Sequence, residues 1–212
     1  IELPTRSNRM LQTADMNFRV GAKTDSSVVF TLPIEGGRSL DFIYVLHPND
    51  YMVDFDVKAN GLSEVLQPVD ALKSYWKYKV RQQEKGRKFE NRYSQIYYYL
   101  TDDEDYEYLS ETSSETEEVN EKIRWIAYKD QFFSAVLIAD NSVKSATISS
   151  ELEPDKSEYL KAYSSTIMLP YEGGNSQMDL RLFFGPNKYS LLKDYDDGVP
   201  SDEELNLQTL VP

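Results

Sequence analysis

Very little in this chain is equipped to make or break a covalent bond. His47, in "YVLHPND", is the sole imidazole, and cysteine is absent from all 212 residues. A histidine base needs a partner acid and a pocket, and no Gly-x-Ser-x-Gly elbow offers a nucleophile to serve. His47 therefore reads as a structural or surface histidine. Zinc would find one His, no Cys and otherwise only carboxylates, a poor ligand set for that ion. Oxygen ligands are plentiful: "DDEDYE" (102–107) and "DYDDG" (194–198) both concentrate acids. Neither has the spaced carboxylates, mid-loop glycine and distant Glu of a calcium-binding loop. Both read as solvated acidic segments. Glycoside hydrolysis needs two carboxyls at a set separation in space, which a chain this rich in acids does not define. No Gly-rich loop opens a helix, so no nucleotide site is expected. The residues point to no catalytic group, no cofactor and no metal.

Charge is distributed as surfaces rather than as sites. The formal net charge is −13. Residues 102–121 carry ten acids and no base, and residues 194–204 carry six more. Residues 73–92 reverse the balance, with eight Lys and Arg against Glu84 and Glu90. A nucleic-acid partner would call for a basic chain, so none is expected. Lys77, Lys79, Arg81, Arg87 and Lys88 are candidate partner contacts, able to meet anionic lipid headgroups. The preferred reading of this basic run is an outward strand face balanced by nearby acids.

The elements that would position these groups are strands. "YMVDFDVKAN" alternates Tyr51, Val53, Phe55 and Val57 with Asp54, Asp56 and Lys58. "SYWKYKVR" sets Trp76, Tyr78 and Val80 against Lys77, Lys79 and Arg81, and "MDLRLFF" sets Met178, Leu180, Leu182 and Phe184 against Asp179, Arg181 and Phe183. Period-two patterning of this kind marks half-buried antiparallel strands. Sixteen Tyr, nine Phe and two Trp suit pleated surfaces. "FTLPIEGGRSLDF" and "IMLPYEGGNSQMDL" share L-P-x-E-G-G-x-S, and their paired glycines supply the positive φ of tight hairpins. "QQEKGRK" around Gly86 reads as a further hairpin tip. Residues 102–121 read as a solvated loop or a partly disordered stretch, and "PDKSEYLKAY" (154–163) as a helical turn. Ser201 with Glu204 three residues on is a capping-box signature, which predicts a short C-terminal helix from Ser201. The expected class is all-β, a sandwich of antiparallel strands.

One stretch, "WIAYKDQFFSAVLIADN" (125–141), is apolar beyond the rest. Lys129, Asp130 and Gln131 divide it, so neither part reaches the roughly 20 apolar residues of a membrane span. The first residues, "IELPTRSNRM", lack the apolar core of a secretory signal. Trp125, Phe132, Phe133, Val136 and Ile138 are expected to fill the sandwich core and its corner, with a bend near 129–131.

The same stretch resembles the signature near the end of the large periplasmic domain of YidC-type membrane-protein insertases. "LRLFFGPNKYSLLKDYD", with Gly185 and Pro186, is similar to that family's closing strand and turn. "LDFIYVLHPNDYMVDFDVKANG" and "SQIYYYLTDDEDYEYL" resemble its upstream strands, and the acidic loops and tyrosine content look like Bacteroidetes versions. Trp125, Phe132, Phe133, Gly185 and Pro186 are the residues that carry the likeness. The resemblance implies a β-super-sandwich similar to galactose mutarotase, spanning residues 1–198 and shortened at its N-terminus, with residues 199–212 beginning a linker helix toward the membrane. It implies a non-catalytic interaction or scaffold module on the periplasmic face of the bacterial inner membrane, in a multi-pass parent. Its partners would be accessory subunits of the Sec translocon and nascent membrane proteins. The alternative reading is a glycan-binding sandwich of mutarotase-like descent, with Trp76 and the tyrosines at 97–99 stacking on a sugar. Weak glycan or lipid-headgroup contact is compatible with either.

Overall fold

The computed structural model describes residues 1–211 and is built from antiparallel strands. These are β1 (Glu2–Pro4), β2 (Met10–Gln12), β3 (Arg19–Lys23), β4 (Ser27–Ile34), β5 (Arg38–Leu46), β6 (Met52–Asn60), β7 (Ala71–Arg81) and β8 (Gln95–Leu100). They continue with β9 (Asp105–Tyr108), β10 (Glu115–Val119), β11 (Ile123–Lys129), β12 (Phe133–Val143), β13 (Ala146–Leu152), β14 (Tyr159–Pro170) and β15 (Ser176–Pro186). Two short helices, α1 (Arg87–Tyr93) and α2 (Tyr189–Lys193), interrupt the pattern. A nine-stranded sheet runs β3-β4-β5-β6-β15-β12-β11-β8-β9, and a four-stranded sheet runs β10-β13-β14-β7. β1 and β2 form a separate pair. None of the described helices is long and apolar enough to cross a membrane.

The two larger sheets face each other over one core. Leu40 and Val57 of the large sheet and Leu72, Ile148 and Ile167 of the small one are fully buried in it. Alternation along β6 and β15 aims Val57, Met178 and Leu180 into that layer, as the sequence pattern requires. Tyr128 links the two sheets: its ring stacks on Trp76 at 4.0 Å and its hydroxyl lies 2.7 Å from Ser165 Oγ.

Several local expectations are corrected. The "QQEKGRK" segment is no hairpin tip: β7 lies in the small sheet and β8 in the large one, and α1 carries the chain between them. Buried Glu90 fixes that crossover by accepting the amides of Gln83 and Glu84 at 2.8 and 3.0 Å. The two glycine pairs also differ. Gly36-Gly37 closes the β4–β5 hairpin with φ of 81° and 75°. Gly173-Gly174 instead joins β14 to β15, one in each sheet. Residues 159–163, read as helical, open strand β14.

The acidic stretch is not a loop either. It forms β9 and β10, the outermost strands of the large and small sheets respectively. An edge strand leaves a row of backbone groups open to another chain, and charge on it discourages that pairing. Acids in these positions serve the sheet ends and leave no apolar alternation for a sequence reading to detect. Buried Lys161 ties this arm to the small sheet, donating to Ser94 O at 2.6 Å and Glu111 O at 2.9 Å.

Candidate functional site

The β11–β12 hairpin explains its own composition. Trp125 pairs with Ile138, Ala127 with Val136, and Asp130 N donates to Phe133 O at 2.8 Å to close the turn. The expected bend at 129–131 is thus a tight hairpin. Ile126, Tyr128 and Leu137 face the inter-sheet core, whereas Trp125, Ala127, Val136 and Ile138 belong to a second core on the opposite face. A strand pair buried on both sides reads as a continuous apolar run.

This corrects the placement of Trp125. It is buried, 1% exposed, but outside the sandwich layer. What covers it is the chain's own C-terminal segment. Trp125 Nε1 donates to Leu205 O at 2.7 Å, and Leu192, Leu205, Leu207 and Leu210 close over the ring with Phe183 and Tyr99. Tyr99 stacks on Trp125 at 5.6 Å. Arg124 fastens the rim by donating to Glu203 O at 2.9 Å. Asp196 holds the segment from the other side: its carboxylate accepts Leu205 N at 2.6 Å and Asn206 N at 3.0 Å. The predicted helix from Ser201 is replaced by a turn, with Glu203 N bonded to Pro200 O, followed by a 3-10 turn at Leu207–Leu210. Asn206, at φ 54°, sits in the left-handed region that breaks a helix. The short helix near the C-terminus is α2.

Phe132 and Phe133 are not core residues. Each is more than half exposed, because Phe132 occupies the hairpin turn and Phe133 lies at the strand end, opposite Pro186. Gly185 is buried and pairs with Ser134. A β-carbon there would stand 2.5 Å from Phe183 Cζ and 3.0 Å from Tyr51 Cβ. The Phe183 ring occupies the space a side chain would take. Gly185→Ala is therefore expected to cost about 1–3 kcal/mol through overpacking; chemical denaturation with an unshifted midpoint would contradict this.

The basic contact candidates are largely engaged within the molecule. Lys79 pairs with Glu153 at 2.7 Å and Arg81 with Glu158 at 3.0 Å. Arg87 donates to the carbonyls of Glu153, Pro154, Ser157 and Tyr159, stapling the 153–159 loop. Lys77 and Lys88 are exposed and form no ion pair among the described residues. The sugar-stacking tyrosines are likewise spoken for: Tyr97, Tyr98 and Tyr99 are all buried. Trp76 lines an apolar cleft of about 460 Å³ with Phe18, Phe42, Phe55 and Phe184, but one of its faces is taken by Tyr128. His47 Nε2 lies 2.7 Å from Asp54 in a half-exposed pair and meets no nucleophile among its described hydrogen bonds. No cluster of three or more His, Asp or Glu among the described residues could hold a metal.

Burial sets the protonation of several groups. Desolvation pushes the Tyr97 hydroxyl up to about 12 and drives Tyr128 and Tyr163 well above the ordinary tyrosine value. It lowers the Lys161 ammonium to about 8 and also lowers Lys129, whose Nζ lies 5.1 Å from the centre of the Tyr97 ring. The Trp125 aromatics and the C-terminal cover are the feature least visible in the sequence. Its signal was present in the leucines at 205, 207 and 210, spaced as i, i+2 and i+5, which fits no regular helix.

The family model described as the YidC periplasmic domain matches residues 2–211. The membrane protein insertase YidC of Parabacteroides distasonis is 40% identical over 99% of this chain and 33% of that protein. The YidC of Azobacteroides pseudotrichonymphae is 39% identical over 97% of this chain and 34% of that protein. The chain thus spans about a third of the length of the curated relatives it matches. Among solved structures, a GH36 alpha-galactosidase of Geobacillus stearothermophilus superposes with a TM-score of 0.50 at 7% identity, covering 92% of this chain and 31% of that one. At that identity the likeness concerns the sandwich fold alone.

Proposed function

Because this chain belongs to the family of YidC periplasmic domains, we propose that it is a non-catalytic scaffold whose C-terminal segment connects rigidly to the remainder of an insertase. In this reading the domain stands on the periplasmic face of the bacterial inner membrane. Residues 1–198 form the sandwich, and residues 199–212 are the connection toward the membrane-embedded part. Nascent membrane proteins are the clients, with accessory subunits of the Sec translocon as neighbours.

The observation that carries the reading is the closed second core. A flexible tether would be polar and free, whereas Leu205, Leu207 and Leu210 are 3%, 0% and 0% exposed beneath the Trp125 face. Burial of that kind makes the connection part of the domain, so movement of one moves the other. The test uses the full-length parent carrying Leu207→Asp and Leu210→Asp. A carboxylate at either position meets an apolar site with no partner, which costs several kcal/mol and opens the cover. Client insertion, followed by protease protection, is expected to fall while the protein still accumulates in the membrane. Insertion equal to that of the parent would overturn the rigid connection.

A further inference from the structure

One end of the molecule gathers aromatics that nothing in the fold requires. Three pieces of chain are bonded together there. Ser94 Oγ, at the end of α1, donates to Asp130 at 2.8 Å, and Asn187 Nδ2 donates to Asp130 O at 2.8 Å. Asn187 N donates to Phe132 O at 2.8 Å. On this assembled end Phe89, Phe132, Phe133, Phe184 and Tyr189 are each more than half exposed, and Tyr93 is exposed beside Phe89. Large exposed apolar side chains grouped this way mark an interaction surface.

The charge beside them runs against the rest of the protein. Lys85, Lys88 and Arg92 flank α1, and Lys188 and Lys193 flank α2. All five are exposed, and none forms a salt bridge among the described residues, whereas Lys79 and Arg81 on the neighbouring strand are both neutralised. Exposed acids beside this end are Glu84, Asp194, Asp50, which accepts from Tyr195 OH, and Glu111, whose carbonyl shares Lys161 with Ser94. Asp130 is half-buried and held by Ser94, and Glu90 is buried and accepts two backbone amides. Free cations around protruding aromatic rings, on a chain of net charge −13, match the chemistry of a bilayer interface. There, aromatic rings settle at headgroup depth and Lys or Arg meet anionic phosphates.

We propose that this end is a lipid-docking surface for anionic bilayers, with the 130–133 hairpin tip inserting Phe132 and Phe133 and the lysines and Arg92 binding headgroup phosphates. The acidic arm reaches this end at Glu111, through the Lys161 bridge to Ser94; repulsion from its other acids is screened beyond roughly 8–10 Å at physiological salt. The proposal goes beyond the scaffold reading and is tested without it, on the isolated 212-residue chain.

Flotation with phosphatidylglycerol–phosphatidylcholine vesicles, against pure phosphatidylcholine, provides the measurement. A uniformly acidic protein is repelled by phosphatidylglycerol, so association dependent on that lipid and weakened by salt is the expected result. Phe132→Ser with Phe133→Ser should abolish most of it without changing Tm, since both rings are exposed. Lys88→Glu with Arg92→Glu should lower the partition coefficient about tenfold or more, while Lys77→Glu, on the outer strand face, leaves it unchanged. Three results would each overturn the proposal. One is the absence of lipid-dependent flotation, and another is flotation indifferent to the phenylalanine pair. The third is concentration-dependent self-association that the same pair removes, which would assign the rings to a second copy of the chain.

Discussion

Trp125→Ala is expected to destabilise the domain by about 3–5 kcal/mol and to release the C-terminal segment before the rest unfolds. The indole fills the centre of the second core and donates its N–H to Leu205 O at 2.7 Å. Alanine removes the ring and leaves that carbonyl without its donor, so a cavity and an unpaired acceptor arise together. The inter-sheet core keeps Ile126, Tyr128 and Leu137 and is untouched. Urea denaturation should show the full loss, and limited proteolysis under native conditions should cut between Asp196 and Leu205 in the variant alone. A variant that melts like the parent and resists the protease would place Trp125 in a binding role instead of a packing one.

Alkali should unfold the protein through its tyrosines. Tyr128 and Tyr163 sit in the core with their hydroxyls held far above the ordinary value of 10 by burial, and Tyr163 OH has no hydrogen-bond partner among the described residues. Above pH 10 the unfolded chain loses these protons and the folded one keeps them, so stability falls as pH rises. Each such group costs about 1.4 kcal/mol per pH unit, so the two together remove roughly 3 kcal/mol per unit. Tyr97, held up to about 12, adds a smaller amount because it is nearer solvent. Lys161 acts in the opposite sense. Its ammonium is lowered to about 8 from 10.5, so the unfolded chain binds the extra proton and stability rises between those two values. The expected profile is a shallow gain from pH 8 toward 10, then collapse within two to three units, given a typical stability of about 5–15 kcal/mol. Circular dichroism and phenolate absorbance, followed together, check it. Buried tyrosines should ionise only as the sheet signal is lost; full phenolate titration near pH 10 with the sheet intact would refute it.

Where the sequence was readable, one face of a strand met water and the other met a core. β6, β7 and the first part of β15 show this, and their alternation located them. At the end of β15 the expected faces are reversed: Phe183, set with the water-facing residues, is fully buried in the second core, and Phe184, set with the core face, is more than half exposed. Where both faces are buried, as in β11 and β12, the residues announced a core but not that there were two. Trp125 and Ile126 differ by one position and lie on opposite sides of the sheet. Edge strands failed for the reverse reason: β9 and β10 carry acids because pairing beyond them is unwanted, and those acids look like a loop. Phe132 and Phe133 misled because an aromatic pair is ordinarily buried, and only the Asp130–Phe133 hydrogen bond shows that the turn lifts them out. The basic run on β7 was legible as composition, yet its partners Glu153 and Glu158 lie more than 70 residues away in sequence. Family membership survived all of these because order and spacing of motifs do not depend on which face each residue takes.

Native-state hydrogen exchange at the amides of Leu205 and Asn206 tests the central claim most directly. Both donate to Asp196 beneath the leucine cover. If the segment is an integral layer of the domain, these amides exchange slowly, with protection approaching that of Trp125's own strand. Exchange at the rate of an unstructured peptide, with the sheet still protected, would show a free tether and contradict the account.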